Sequence, residues 1–513
     1  MDELLIIPYI IVLAIVAMYG FHRYVLVYLY LKHKHDPYQP PGKFDHLPKI
    51  TVQLPMYNED QVADRVIRAS CQIDYPPDLL EIQVLDDSTD HSADIARRAC
   101  EEMAARGHNI RFIHRDNRVG YKAGALADGI EQATGEFLAI FDADFVPPRD
   151  ILHNVINYFS DPKIGMVQCR WDHLNRDASL LTKSQAIFLD GHFVIEHTAR
   201  NRSGRFMHFN GTAGVWRRSC IADAGGWHHD TLTEDLDLSY RAQLKGWEFV
   251  YLPQFCAPAE LPPEMIGFKQ QAHRWTKGSF QTCLKLLPRV MRAHLPLSIK
   301  TEAFFHLTNT IVYPMMVILT ILMFPCYLSL YNPFNHFTGE WSQFLFSSSL
   351  FVLATCSATT FFVVGQKELM GSEAGWKTVF YMPILMALGV GVSLNNCKAV
   401  FEAIWSYIYR APSEFVRTPK YGASGQQSKI FSPTSIYTLK RLALPIIEIA
   451  FGCYMAAWII ISIYYQFCMA SVPFLGIFSG GYFYVGFSTL HALYNMQKDR
   501  SVPVLPQASA LSA

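Results

Sequence analysis

Residues 4–21 form an unbroken apolar run that resumes after His22-Arg23 and continues to residue 31, where Lys32-His33-Lys34-His35 closes it. About twenty apolar residues cross a bilayer. The basic flank, set against the acidic start Asp2-Glu3, predicts a transmembrane anchor over residues 1–35 with the following residues in the cytosol. The acidic start and the lack of a small-residue cleavage site point to a retained anchor, not a cleaved signal peptide. Over residues 45–260 the pattern changes to short apolar runs alternating with longer amphipathic ones. Strands are predicted over 50–54, 82–85 and 110–113 and in the run that ends at Asp142, with helices over 60–69, 92–106 and 123–133. Such alternation predicts an α/β, Rossmann-like domain whose parallel sheet is covered on both faces.

Residues 261–300 are amphipathic and basic, with Lys269, His273, Arg274, Lys277, Lys285, Arg289 and Arg292, and predict helices lying on the inner membrane surface. In the region 301–495, the runs 303–331, 344–364, 442–465 and 472–493 are long enough to span. A further run, 379–394, is sixteen residues long and is followed by Asn395-Asn396. As a helix it measures about 24 Å against a hydrocarbon core of roughly 30 Å, which predicts a dip or an interfacial segment and leaves five spans, anchor included. That count keeps residues 411–425 on the side of the α/β domain, in line with Arg410, Arg417, Lys420, Lys429 and Lys440 around them. Residues 496–513 are a tail.

Half of the 513 residues are hydrophobic, too many for a wholly soluble chain. Lys plus Arg equals Asp plus Glu, 44 each, so no basic field exists to hold nucleic acid. The eleven cysteines are scattered without metal spacing and read as reduced packing residues. No GxGxxG follows the first strand and no Walker motif occurs, which argues against a dinucleotide cofactor and against an ATP-driven transporter.

The polar clusters at strand ends carry the candidate chemistry. Asp142 and Asp144, one residue apart where an apolar strand stops, suit a hard cation, Mg²⁺ or Mn²⁺, that shares its shell with substrate phosphates. Tyr57 and Glu59 follow the first strand, where an aromatic and a carboxylate serve a base and a ribose or merely form a turn. Asp86-Asp87-Ser88 follow the second, as nucleoside ligands or as a helix cap. Lys122 starts a helix where a cation opposes the dipole, and a diphosphate would supply the missing charge. Thr233-Glu234-Asp235 reads equally as a helix cap with acids in its first turn or as a catalytic carboxylate pair. About forty residues on, Gln271, Arg274 and Trp275 offer a hydroxyl partner, a diphosphate clamp and a stacking face.

In this order DDS, DAD, TED and QxxRW make the chain resemble processive family 2 glycosyltransferases, the cellulose, chitin and hyaluronan synthase group, over about residues 4–493. Residues 115–126, 209–217 and 260–263 resemble more closely the plant cellulose-synthase-like A and C groups, mannan and glucan backbone synthases, and their bacterial relatives. Phe145 and Asn210 depart from cellulose synthase proper, and the run from Phe415 to Lys420 resembles its gating loop with Arg417 in place of valine.

The resemblance implies a GT-A glycosyltransferase domain inserted between transmembrane helices. Tyr57, Glu59, Asp86, Asp87, Lys122, Asp142 and Arg274 would bind a nucleotide-sugar donor, UDP-glucose or GDP-mannose, and Asp142 with Asp144 would bind the metal. Asp235, with Glu234 beside it, would be the catalytic base, and Gln271 and Trp275 would hold the acceptor. The implied product is a growing β-linked polysaccharide, exported through a bacterial inner membrane or made in the Golgi; the alternative is a single addition to a membrane glycolipid.

Overall fold

The computed structural model describes residues 2–330, 340–411, 413, 415, 417, 420, 439–466 and 469–501. Seven strands form one sheet: β1 (Ile50–Met56), β2 (Leu80–Asp86), β3 (Ile110–His114), β4 (Phe137–Ile140), β5 (Ile164–His173), β6 (Gly214–Arg217) and β7 (Glu248–Ala259). Their order is β3-β2-β1-β4-β6-β5-β7. The first four strands are parallel, as the alternation predicts. β6 is antiparallel to both β4 and β5, so the sheet is mixed and the expectation of a wholly parallel one is corrected. β6 follows β5 in sequence and lies beside it, and at four residues it is too short for its periodicity to signal that reversal.

Both faces of the sheet are covered, which is why its strands read as near-continuous apolar runs. In β4, Phe137 and Ala139 pack with Ile50, Val52, Ile82 and Val84 on one face, while Leu138 and Ile140 pack with Leu85, Met166 and Trp216 on the other. Each such burial contributes roughly 1.5–3 kcal/mol. The order of strands reverses between β1 and β4, so the carboxyl ends of β1, β2 and β4 open on the crevice where sheets of this kind take ligands.

Among the described residues, three helical stretches are long and apolar enough to cross a membrane: Ile7–His33, Leu297–Met323 and Leu442–Tyr464. The count rises to four if the pair Ser372–Gly391 and Ser393–Tyr409, bent by 40°, is one span. This is fewer than the five expected. The stretch expected at 303–331 begins earlier, at Leu297, and that expected at 472–493 lies in the helix Val472–Ser501, where glycines and tyrosines dilute its apolar character. Its glycines serve packing: a β-carbon on Gly481 would lie 2.1 Å from the Ala387 carbonyl oxygen, so two helix backbones touch there. The short segment expected at 379–394 belongs to a helix of 20 residues, because polar Ser372, Glu373 and Lys377 extend it beyond the apolar run. Length therefore no longer argues for a dip.

A buried ion pair joins the domain's last long helix to the apolar helices: Lys269 Nζ donates to Glu448 Oε1 at 2.6 Å and Oε2 at 2.9 Å. Lys269→Met leaves Glu448 buried and unpaired, with an expected cost of about 3–5 kcal/mol. Thermal unfolding in detergent should show the loss, and adding Glu448→Gln should restore much of it.

Candidate active site

The cleft at the sheet edge encloses about 170 Å³ and is lined by Tyr57, Glu59, Asp87, Lys122, Asp142, Asp144, Glu234, Asp235, Gln271, Arg274 and Trp275. Residues as far apart as Tyr57 and Trp275 thus share one wall system, and of the candidates read from the sequence Asp86 alone is left out. Its side chain points into the fold, where Oδ1 accepts from Ser88 Oγ at 2.6 Å and Oδ2 lies 2.6 Å from His114 Nδ1. Of the Asp86-Asp87 pair only Asp87 lines the cleft, and Arg115 holds it by two hydrogen bonds of 2.7 and 2.6 Å.

At the end of β4 the two carboxylates are each met by an ammonium. Lys122 Nζ donates to Asp142 Oδ1 and, at 2.8 Å, to the Gly211 carbonyl. Burial works against the charge on Lys122, but Asp142 and Glu234 outweigh it and hold its pKa above the ordinary value. Asp144 Oδ1 accepts from Lys420 Nζ at 2.7 Å. Lys420 also reaches Glu59 Oε1 at 3.3 Å, while Arg417 Nη1 donates to Glu59 Oε2 at 3.0 Å. These contacts put Phe415, Arg417 and Lys420 against the cleft; the expected segment 411–425 otherwise lies, apart from Ala411 and Ser413, outside the described residues.

Glu234 and Asp235 open the helix Glu234–Leu244, and the Leu236 N–H donates to Asp235 Oδ1 at 2.8 Å. The helix Met265–Arg292, which carries Gln271, Arg274 and Trp275, clamps this loop. Gln281 Oε1 accepts from the Leu232 N–H at 3.1 Å, and Thr233 and Thr282 hydroxyls lie 3.1 Å apart. Burial first, and then the neighbouring Glu234 carboxylate, pushes Asp235 up to about 7. Burial likewise lowers Arg274, although Asp142, Glu234, Asp144 and Asp235 all favour its charge. The arrangement sets the Asp235 carboxylate close to Lys122 and the carboxylates of the strand end.

Two cleft residues, Arg118 and Gly211, were not singled out from the sequence. The Arg118 guanidinium covers the Tyr57 ring at 3.3 Å from its centroid, and Arg274 lies 4.6 Å from the Phe415 ring centroid. Asn210 and Gly211 form the wall between Lys122 and Asp235. Gly211 has φ +81°, and a β-carbon there would stand 3.0 Å from Asp235 Oδ2 and 3.4 Å from Lys122 Nζ. A glycine between two charged motifs was the available signal. Gly211→Ala should therefore lower kcat by about tenfold or more through displaced Asp235, with a smaller change in unfolding temperature, measured by steady-state kinetics and calorimetry.

Comparison with known proteins bears directly on these walls. Residues 48–278, which hold every motif of the cleft except the segment from Phe415 to Lys420, match the family described as glycosyltransferase like family 2. The chain carries a family 2 glycosyltransferase domain. This domain is 44% identical over 250 residues to "Probable glucomannan 4-beta-mannosyltransferase 4" of Oryza sativa subsp. japonica, covering 48% of this chain and 46% of that protein. It is 41% identical over 251 residues to "Glucomannan 4-beta-mannosyltransferase 7" of Arabidopsis thaliana, covering 48% of this chain and 45% of that protein. The chain thus spans about half the length of the curated relatives it matches. A solved structure of the mannosyltransferase PcManGT from Pyrobaculum calidifontis in complex with GDP-Man and Mn²⁺ superposes with a TM-score of 0.49 at 20% identity, over 70% of this chain and 99% of that one. The glycosyltransferase domain has the Rossmann-like mixed sheet of the GT-A fold.

Proposed function

We propose that the chain is an inverting hexosyltransferase that moves a sugar from a nucleotide diphosphate to a hydroxyl of a β-linked glycan at a membrane. The observation that carries this reading is that Asp235 lines one cleft together with Lys122, Asp142 and Arg274, with Lys122 close beside it around Gly211. Asp235 takes the proton of the acceptor hydroxyl as its oxygen attacks the anomeric carbon. The bond to the diphosphate breaks on the opposite face, and its electron pair leaves with the phosphate. Lys122 and Arg274 receive the developing charge, worth most in a cleft that excludes water. A positioned base contributes roughly 10²–10⁴-fold. Trp275 and Gln271, on the same helix as Arg274, are assigned to the acceptor.

Asp142 and Asp144 fit a hard divalent cation, Mg²⁺ or Mn²⁺: two oxygen donors share a strand end, and each already takes an ammonium, so the site accepts positive charge. When bound, the ion neutralises charge on the leaving diphosphate.

The printed names of the relatives favour mannose as the sugar and a 4-linked β-glycan as the product, with GDP-mannose ahead of UDP-glucose as donor. The three apolar helices support a membrane-embedded enzyme in which Phe415, Arg417 and Lys420 cover the cleft on the domain side. Purified protein offered a panel of nucleotide sugars with a manno-oligosaccharide acceptor should release GDP from GDP-mannose and lengthen the acceptor. Release from no donor sinks the reading, and products carrying a single added sugar on lipid favour the glycolipid alternative.

A further inference from the structure

Behind Asn210, away from the cleft, three imidazoles converge. His192 and His197 belong to the wide helical turn Gly191–His197, and His208 precedes Asn210 on the loop before β6. Each offers a nitrogen, and the three ligating atoms lie within 4.8 Å of one another. His192 Nε2 and His197 Nε2 are 3.0 Å apart, and Asn210 Nδ2 stands 3.1 Å from both His192 Nε2 and His208 Nε2.

The surroundings fix the tautomer of one ring. His192 Nδ1 lies 2.8 Å from Glu196 Oε2, a carboxylate that Arg200 also holds at 3.2 Å, so Nδ1 carries the proton and Nε2 turns its lone pair inward. A carboxylate behind a histidine is the arrangement that orients metal-bound imidazoles. Burial first, and then neighbouring imidazoles, holds His197 and His208 well below the usual histidine pKa, so both stay neutral. The three rings thus bring their nitrogens to one place. The converging Nε2 atoms have only one another and the Asn210 amide as partners, while Asn210 Oδ1 is buried with no partner among the described residues, so nothing holds the amide oxygen away from the rings. Unpaired buried polar atoms cost roughly 1–3 kcal/mol each.

We propose that His192, His197 and His208 bind a borderline divalent cation of the zinc class, with the Asn210 amide oxygen or water as fourth ligand. Imidazole nitrogens select such an ion, whereas Mg²⁺ prefers the oxygen donors of Asp142 and Asp144. Four-coordinate zinc with bonds of about 2.0–2.1 Å needs nitrogens a little over 3 Å apart, close to the spacing of His192 and His197. Its role is positional. Asn210 precedes Gly211, whose carbonyl takes Lys122 Nζ at 2.8 Å, so an ion here braces the wall on which Lys122 and Asp235 sit.

The test uses full-length protein in detergent, stripped with a nitrogen chelator and titrated with Zn²⁺ or Co²⁺ in excess Mg²⁺, with no turnover measured. Wild type should take up one Co²⁺ per chain with the visible absorption of a tetrahedral, nitrogen-ligated ion, and Zn²⁺ should displace it. His197→Asn and His208→Gln should each weaken uptake at least a hundredfold. Zn²⁺ should raise the unfolding temperature of wild type and not of the variants. Should a variant fail to fold, the wild-type cobalt spectrum alone decides. Absence of Co²⁺ uptake by folded wild type overturns the proposal. So does an octahedral spectrum that Mg²⁺ abolishes, which would place the ion at the carboxylates.

Discussion

Asp235→Asn is expected to lower sugar transfer by about 10²-fold or more while nucleotide affinity stays near wild type. The amide keeps the shape of the carboxylate and its hydrogen bond from the Leu236 N–H, 2.8 Å long, but cannot take a proton. Transfer assays beside donor binding by calorimetry separate the two effects, and loss of binding together with turnover would move Asp235 to the donor site. The pH profile follows from the same burial. With Asp235 pushed up to about 7 by burial and by Glu234, the working anion grows in as pH rises, so kcat/KM should climb through about pH 7 and level off above it. Stability runs the opposite way. A carboxyl whose folded pKa exceeds its unfolded one lends stability at low pH that is lost as pH rises through the folded value. Asp235→Asn should therefore change the unfolding temperature little below about pH 4 and raise it increasingly from there to about pH 7, above which the gain levels off.

Removal of divalent cations is expected to stop transfer, and Mg²⁺ or Mn²⁺ should restore it. Asp144→Asn should need about tenfold or more metal for half activation, since it removes one of two carboxylates at the strand end. Lys420 adds a sign to this test. Its ammonium sits 2.7 Å from Asp144 Oδ1, and although burial opposes its charge, Asp144 and Glu59 hold its pKa above the ordinary value. A cation already on the carboxylate competes with the metal, so Lys420→Met should lower the metal concentration for half activation even if it slows turnover. Full activity after exhaustive chelation would remove the metal from Asp142 and Asp144.

Legibility in the sequence depended on how local the cause was. The strands before Glu59, Asp87 and Asp142 could be read because a doubly covered sheet needs apolar runs and ends them on polar residues. TED and QxxRW were legible as motifs, and the helix Met265–Arg292 brings Gln271, Arg274 and Trp275 to the cleft that Glu234 and Asp235 also line. Asp86 was misplaced because neighbouring residues at a strand end alternate sides, and only the positions of Ser88 and His114 show which one turns inward. The helix holding the run 379–394 is longer than the run because polar residues such as Ser372 to Lys377, which hydropathy leaves out, extend it.

What the sequence by itself determined is the α/β alternation, the strand-end carboxylates and the motif order, all properties of residues within a few positions of one another. Tertiary structure alone decided the direction of β6, the covering of Tyr57 by Arg118, and the reach of Lys420 to Asp144 across 276 positions. It also gathered His192, His197 and His208 around Asn210. Periodicity reports which face of an element is buried and is silent on what the face meets. Contacts between distant segments follow from how the whole chain closes its cores.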